Sequence, residues 1–346
     1  MHTPLREEKI VTIGGGTGTY AVLMGVKHLW RDITAVVTMA DDGGSSGRLR
    51  DEFGHLPPGD MRRCLVALSA DHRASRTLRA LFEYRFEKGD GLSGHAFGNL
   101  FLTALTEITG SPELAIIEAS RLLNVRGRVL PVTTDDVTLC ATLEDGTLIT
   151  GERNIDVRTV KPEVAIGQVF LSPEACAYPP VIDAIREADI LILGPGDLYS
   201  SIIPNLLVKG ICEAIRDCRG IRIFVCNLMT KHGETEGFTA SRFVSEICHY
   251  LGAPSALDWV IVNSAAFPDA LVAKYSREDA HPVVADVSHD DQSGHRIALE
   301  DVLASGSLLR HDPEKLAEVL MKIALTARTT TNHSEPHPAA AVGHTS

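Results

Sequence analysis

Apolar and polar positions recur along the chain in one order: a short β-branched run, a glycine-rich turn, then a segment with helical spacing. Ile10-Val11-Thr12-Ile13 is the first run and Tyr20 to Val26 the first helical segment, with Gly14, Gly15, Gly16, Thr17 and Gly18 between them. Ile33 to Met39, Ile190 to Leu193, Ile221 to Cys226 and Trp259 to Asn263 repeat the run, apolar almost throughout, as strands buried on both faces require. The order changes twice. Residues 73–86 and 96–125 read as a helical block, hinged at Ser93-Gly94-His95 and restarted by Ser111-Pro112. Residues 128–151 alternate with period two, and Asp145-Gly146 supplies a hairpin turn, so an antiparallel insertion is expected there. Together these patterns predict an α/β, three-layer Rossmann-like fold with a mainly parallel sheet and a small antiparallel β insertion, forming one domain over residues 1–325. Residues 326–346 have little apolar periodicity and much Pro, Thr and His, so a disordered tail is expected.

Open parallel sheets bind ligands outside the carboxyl ends of their strands. Several loops expected on that edge carry chemistry. In the first, Gly14, Gly15, Gly16 and Gly18 permit positive φ and close backbone approach, while the free N–H groups of the next helix suit a phosphate. Gly16, Gly18 and Ala21 satisfy G-x-G-x-x-A, and Asp41 ends the next strand, where a dinucleotide fold places its ribose-binding acid. The continuation Asp41-Asp42-Gly43-Gly44-Ser45-Ser46-Gly47-Arg48 is too polar for a plain connection. Two acids, two hydroxyls and an arginine straight after a strand read as a second ligand loop rather than a surface turn. Leu56-Pro57-Pro58-Gly59 delivers Asp60 to a helix start, either as its N-cap or as a pocket residue. Asn99 and His95 stand at another helix start, as caps or as ligand contacts. After Ile190 to Leu193, a third loop offers Gly196, Asp197 and Ser200, and the polar exit from Ile221 to Cys226 adds Asn227 and Glu236.

The remaining composition narrows the class. The chain has 346 residues, 44% of them hydrophobic, enough for a substantial core, and a net charge of -12 that disfavours nucleic acid and anionic lipid. No apolar run approaches a membrane span and no signal-peptide core precedes the first strand, so a cytoplasmic location is expected. The seven cysteines contain no C-x-x-C pair and the fourteen histidines are dispersed, so no metal site is read from them.

GGGTGTYAVLMGVK, ADDGGSSGRLR, LPPGDMRRCLVALS and SGHAFGNLFLTAL resemble the bacterial gluconeogenesis factor family, relatives of the archaeal and actinobacterial 2-phospho-L-lactate transferases. The resemblance runs from about Lys9 to about Leu325, and the pairing of DDGGSSGRLR with PPGD draws the chain toward the gluconeogenesis factor branch. That branch implies a UDP-N-acetylglucosamine-binding regulatory protein rather than an enzyme. It is tied to cell shape and envelope synthesis on gluconeogenic carbon, with envelope-synthesis proteins as expected partners; a homo-oligomer is expected as well. Tyr275 and Arg310 match the positions of the family's UDP-sugar contacts; a phenol ring stacks on uracil and a guanidinium grips a diphosphate. The alternative is a transferase that moves a phospho group from a nucleoside diphosphate donor with Mg²⁺, held by Asp41, Asp42 and Asp197. An NAD(P) dehydrogenase ranks third, because only the first glycine turn and Asp41 suggest it.

Overall fold

The computed structural model describes residues 5–70, 73–287 and 294–332. β1 (Arg6–Gly14) shows why the first run had to be apolar on both sides: Ile10 enters the core on one face of the sheet, Val11 and Ile13 the core on the other. β2 (Trp30–Val37) lies beside it, and β3 (Arg128–Pro131) beyond β2. On the other flank of β1 come β7 (Ile190–Leu193), β8 (Ile221–Val225), β9 (Trp259–Asn263) and β10 (Arg296–Glu300). The seven strands are all parallel, in the order β10-β9-β8-β7-β1-β2-β3. Helices cover both faces, giving the expected three layers. The helices Gly16–Val26, Pro58–Leu68 and Pro313–Asn332 supply one core, and Pro179–Arg186, Ile211–Asp217 and Ala240–Leu251 the other.

The connectivity fixes where a ligand can sit. From β1 the chain steps outward to β2 and β3, then returns to the opposite side of β1 as β7. The crevice between the carboxyl ends of β1 and β7 is therefore the point where strand order reverses. The first and third glycine loops flank it.

The antiparallel insertion is real but differently bounded. β3 pairs in parallel with β2 and belongs to the main sheet, because a four-residue apolar run carries too little period to tell an edge strand from a hairpin arm. The insertion consists of β4 (Thr138–Leu143) and β5 (Leu148–Thr150), joined through Asp145-Gly146, with a third strand, β6 (Ile166–Ser172), paired antiparallel to β4. The helical block appears as Arg73–Glu83, Phe97–Thr109 and Pro112–Leu123, with Ser111 Oγ accepting from Leu114 N–H at 3.2 Å. Residues 326–332, expected to be disordered, continue the helix Pro313–Asn332, since extending a formed helix adds one hydrogen bond per residue without a new nucleus. The rest of the expected tail, 333–346, lies outside the described residues.

That helix packs closely on the first one. A Cβ on Gly25 would collide with the Pro313 carbonyl and come within 3.0 Å of the Ala317 Cβ, so only glycine allows the approach. Among the described residues, no helix is long and apolar enough to cross a membrane.

Candidate functional site

The loops that follow β1, β2, β7 and β8 meet the insertion and the segment before the helix Pro313–Asn332, enclosing two adjoining cavities. The outer, of about 720 Å³, has Leu228, Met229 and Leu309 in its wall beside Tyr275, Arg310 and Asn227. The inner, of about 250 Å³, is polar and lined by Asp41, Asp60, Arg63, Glu152 and Ser200. Thr17, Gly18, Asp156, Gly196 and Asp197 border both.

The glycines of the first loop have separate reasons. Gly16 alone takes the left-handed φ, at +67°. A Cβ on Gly15 would collide with the Asp60 carboxylate, and one on Gly18 with the Pro195 carbonyl, so these two positions let the helix Pro58–Leu68 and the third loop close on the first loop and its helix. Gly14 is the end of β1; its carbonyl accepts from Thr38 N–H at 3.2 Å and it lines neither cavity.

Asp60 is not an N-cap. Pro57 holds that place, and Asp60 sits inside the first turn of the helix Pro58–Leu68, where it accepts from the Gly16 N–H and from Arg63 Nη1 at 3.4 Å. Burial, reinforced by the Asp41 charge, pushes its carboxyl up to about 6. Burial likewise raises Asp41, although Oδ1 accepts from Gly43 N–H at 3.0 Å and the carboxylate accepts from the Ser46 hydroxyl.

Gly43 lines the inner cavity beside Asp41, and the rest of the second loop is scaffolding. Asp42 turns away from the cavities and accepts from Arg153 N–H at 2.7 Å and Glu152 N–H at 3.1 Å, which pins the insertion helix Glu152–Asp156 by its first turn. Ser45 Oγ lies 3.1 Å from His95 Nδ1 and accepts from Asn99 Nδ2 at 3.1 Å, while Asn99 Oδ1 accepts from Arg62 Nε at 2.8 Å. Asn99 and His95 are thus neither caps nor cavity residues but a buried brace behind the loop. Ala96 holds the N-cap position. Ser46 is bound to Asp41, Arg48 Nη2 donates to the Ser93 carbonyl at 3.2 Å, and Gly44 (φ +46°) opens the helix Gly44–Phe53; none of them faces a cavity. The acid trio Asp41, Asp42 and Asp197 does not assemble as a metal site, because Asp42 is spent on backbone N–H groups.

The third and fourth loops meet on Lys231. Its Nζ donates to Asp156 of the insertion, to Asp197 at 2.7 Å, and lies 3.1 Å from the fully buried Glu234. Burial disfavours the ammonium, but the three carboxylates outweigh it and hold Lys231 charged. Burial also pushes Glu234 upward, against the pull of that lysine. Glu234 orders the third loop as well, accepting from Tyr199 N–H at 3.2 Å and Ser200 Oγ at 3.0 Å. Asp156, Asp197 and Glu234 offer ligand atoms within 4.8 Å of one another, as a cation site would. The lysine ammonium already takes that place, so a Mg²⁺ ion does not fit these three residues as they stand.

In the outer cavity, Asn227 Nδ2 donates to the Gly196 carbonyl at 2.7 Å, Tyr275 Oη accepts from Leu309 N–H at 3.3 Å, and Arg310 is exposed beside them. His311 donates from Nε2 to the Cys226 carbonyl at 3.2 Å, and burial pushes it down to about 4, so the ring is neutral. Glu236 pairs at 2.6 Å with His232 of the outer cavity's wall and accepts from Gly233 N–H, but itself lines neither cavity.

Sequence reasoning missed Arg63 of the helix Pro58–Leu68, Glu152, Arg153 and Asp156 of the insertion, and Lys231 and Glu234 of the fourth loop. The polar run Thr230-Lys231-His232-Gly233-Glu234 carried a signal for the last two. Glu152–Asp156 is a five-residue helix after Gly151 at φ +98°, with no periodicity to betray it.

The family model described as 2-phospho-L-lactate transferase CofD matches residues 10–303. The gluconeogenesis factor of Halalkalibacterium halodurans is 43% identical over 92% of this chain and 97% of its own length, and that of Bacillus subtilis 43% over 92% and 98%. A crystal structure of a UPF0052 family member from Bacillus halodurans superposes with a TM-score of 0.84 at 41% identity, covering 92% of this chain and 100% of that one. With these similarities spread over nearly all of its length, the chain belongs to the gluconeogenesis factor family, relatives of 2-phospho-L-lactate transferase.

Proposed function

We propose that this protein is a cytoplasmic regulator that binds UDP-N-acetylglucosamine across the two cavities, acting as a gluconeogenesis factor in cell shape and envelope synthesis. The observation that carries the reading is the pairing of cavities at the switch point. The outer one offers an apolar wall, a tyrosine and an arginine to a nucleoside. The border offers the first turn of the helix Gly16–Val26, which has no acidic residue, to a diphosphate. The inner one offers carboxyl groups to sugar hydroxyls. Envelope-synthesis proteins are the partners that would read the bound state.

Calorimetry with UDP-N-acetylglucosamine tests it. Arg310→Ala and Tyr275→Ala are expected to weaken binding by roughly 1.5–3 kcal/mol each, the range for hydrogen bonds to charged groups, with the arginine effect larger. Unchanged dissociation constants in both folded variants would place the nucleotide sugar elsewhere or remove it as the ligand.

A second reading, Mg²⁺-dependent transfer of a phospho group from a nucleoside diphosphate donor, draws on the match to the transferase family. The lysine-filled acid trio weighs against it. Turnover of a nucleoside diphosphate donor that requires Mg²⁺ would favour transfer; tight binding of the UDP-sugar without metal and without product favours regulation.

A further inference from the structure

A diphosphate brings negative charge to an edge already rich in carboxylates, and Lys231 is committed to three of them. His232 is paired with Glu236 and lies 3.7 Å from Asp279. Two arginines in the wall of the outer cavity, Arg310 and Arg158, belong to no ion pair among the described residues. Arg310 stands at the rim. Arg158 follows the insertion helix Glu152–Asp156 and is 4% exposed.

Its guanidinium is half satisfied. Nη2 donates to the Pro162 carbonyl at 2.8 Å and the Val164 carbonyl at 2.7 Å, while Nε and Nη1 have no hydrogen-bond partner. Glu236, Glu234 and Glu163 act on it only through space, and burial lowers its pKa. Gly233, in the left-handed conformation at φ +77°, closes over the side chain; a Cβ there would lie 3.1 Å from Arg158 Cβ and 3.2 Å from Nε. Leaving buried donors of a charged group unmade costs more than an ordinary lost hydrogen bond. A structural arginine in this position would be expected to use those donors on carbonyls, as Nη2 does. Donors left unpaired beneath the Gly233 turn at the wall of a ligand cavity, in a buried cation that no carboxylate among the described residues pairs with, fit a ligand anion that the chain itself does not provide.

We propose that Arg158 is a second ligand-binding arginine: the phosphate oxygens of a nucleoside diphosphate group bond its Nε and Nη1, with the Gly233 turn giving way to admit them. The inference rests on the nucleotide-sugar reading above and deepens it, because it makes the antiparallel insertion part of the phosphate site.

The test is calorimetric titration of the full chain and of Arg158→Gln and Arg158→Lys with UDP-N-acetylglucosamine, UDP, uridine, GDP and inorganic pyrophosphate. Arg158→Gln should weaken UDP and UDP-N-acetylglucosamine by about tenfold or more, as loss of a charge-assisted phosphate contact predicts, and leave uridine unchanged. Arg158→Lys should recover part of that loss, and it carries the comparison if the glutamine variant does not fold. Diphosphate affinities equal to wild type, or uridine weakened in the same proportion, would overturn the proposal, the second outcome assigning Arg158 a purely structural role. Wild-type protein that binds GDP or pyrophosphate but no uridine compound removes the UDP-sugar reading and leaves Arg158 to be judged by the same comparison with GDP. Wild-type protein that binds none of the diphosphates removes both.

Discussion

The inner cavity and the wall it shares with the outer one both crowd carboxyl groups together, and they hold them in opposite ways. In the inner cavity burial raises Asp41, Asp60 and Glu152 toward their protonated forms, and repulsion from Asp41 helps push Asp60 up to about 6 and Glu152 up to about 9. In the shared wall Asp156, Asp197 and Glu234 gather instead around the Lys231 ammonium. The difference separates two jobs. A carboxyl group that keeps its proton donates a hydrogen bond as readily as it accepts one, which suits the mixed hydroxyl and amide groups of a sugar. A carboxylate locked on a lysine contributes rigidity, here between three segments far apart in sequence.

Breaking the lysine side should have the largest effect. Lys231→Met leaves three carboxylates without their cation, Glu234 fully buried among them, and is expected to destabilise the fold by about 3–5 kcal/mol, the usual result of removing one partner from a buried ion pair. Denaturant titration measures it; a loss under about 1 kcal/mol would mean that the lysine is a solvated surface pair.

The proton side responds to pH. Folded Glu152 keeps its proton up to about pH 9, whereas the unfolded residue releases it near ~4.3, so the folded chain binds more protons between these values and stability falls as pH rises through the window. Asp60 adds the same slope between about pH 4 and about 6. Glu152→Gln, a neutral isostere, should therefore gain on wild type as pH rises above ~4.3, by up to ~1.4 kcal/mol per pH unit, with no gain below pH ~4. Melts across that range decide the matter: a pH-independent difference would show that Glu152 ionises as an ordinary surface residue.

The smallest expected effect cuts the tie between the two regions. Asp42→Ala removes the acceptor for Glu152 and Arg153 N–H and should cost about 1 kcal/mol, as loss of a helix-start acceptor does. Hydrogen exchange should quicken at those two amides while Gly43 N–H, bound to Asp41, keeps its protection. Equal exchange at all three would mean that the insertion helix is held by something else.

What could be read from the chain follows from how local each signal is. The sheet was legible because a strand buried on both faces must be apolar throughout, as Ile190 to Leu193 is, and the glycine loops because they interrupt such strands at their carboxyl ends. The edge strand β3 misled because four apolar residues before a hairpin look like part of it. Within the second loop, residue type alone could not tell Asp41, which faces the cavity, from Asp42, which faces backbone amides, since adjacent residues point different ways only once the backbone is fixed. The insertion's contribution was illegible for the same reason. Glu152, Asp156 and Arg158 are chemically ordinary in sequence, and only the packing of the insertion against the fourth loop gives them neighbours.

Gly25 gives the site a history in time. The helix that follows the first glycine loop is seated against Pro313, and almost the whole described chain is synthesised between the two. A nascent chain that has already made its first glycine loop therefore still lacks the surface against which that loop's helix rests. Ligand binding on this edge should consequently wait for the helix Pro313–Asn332. A ribosome-bound fragment ending before Pro313 would carry every glycine loop and still present the first of them on an unsupported helix.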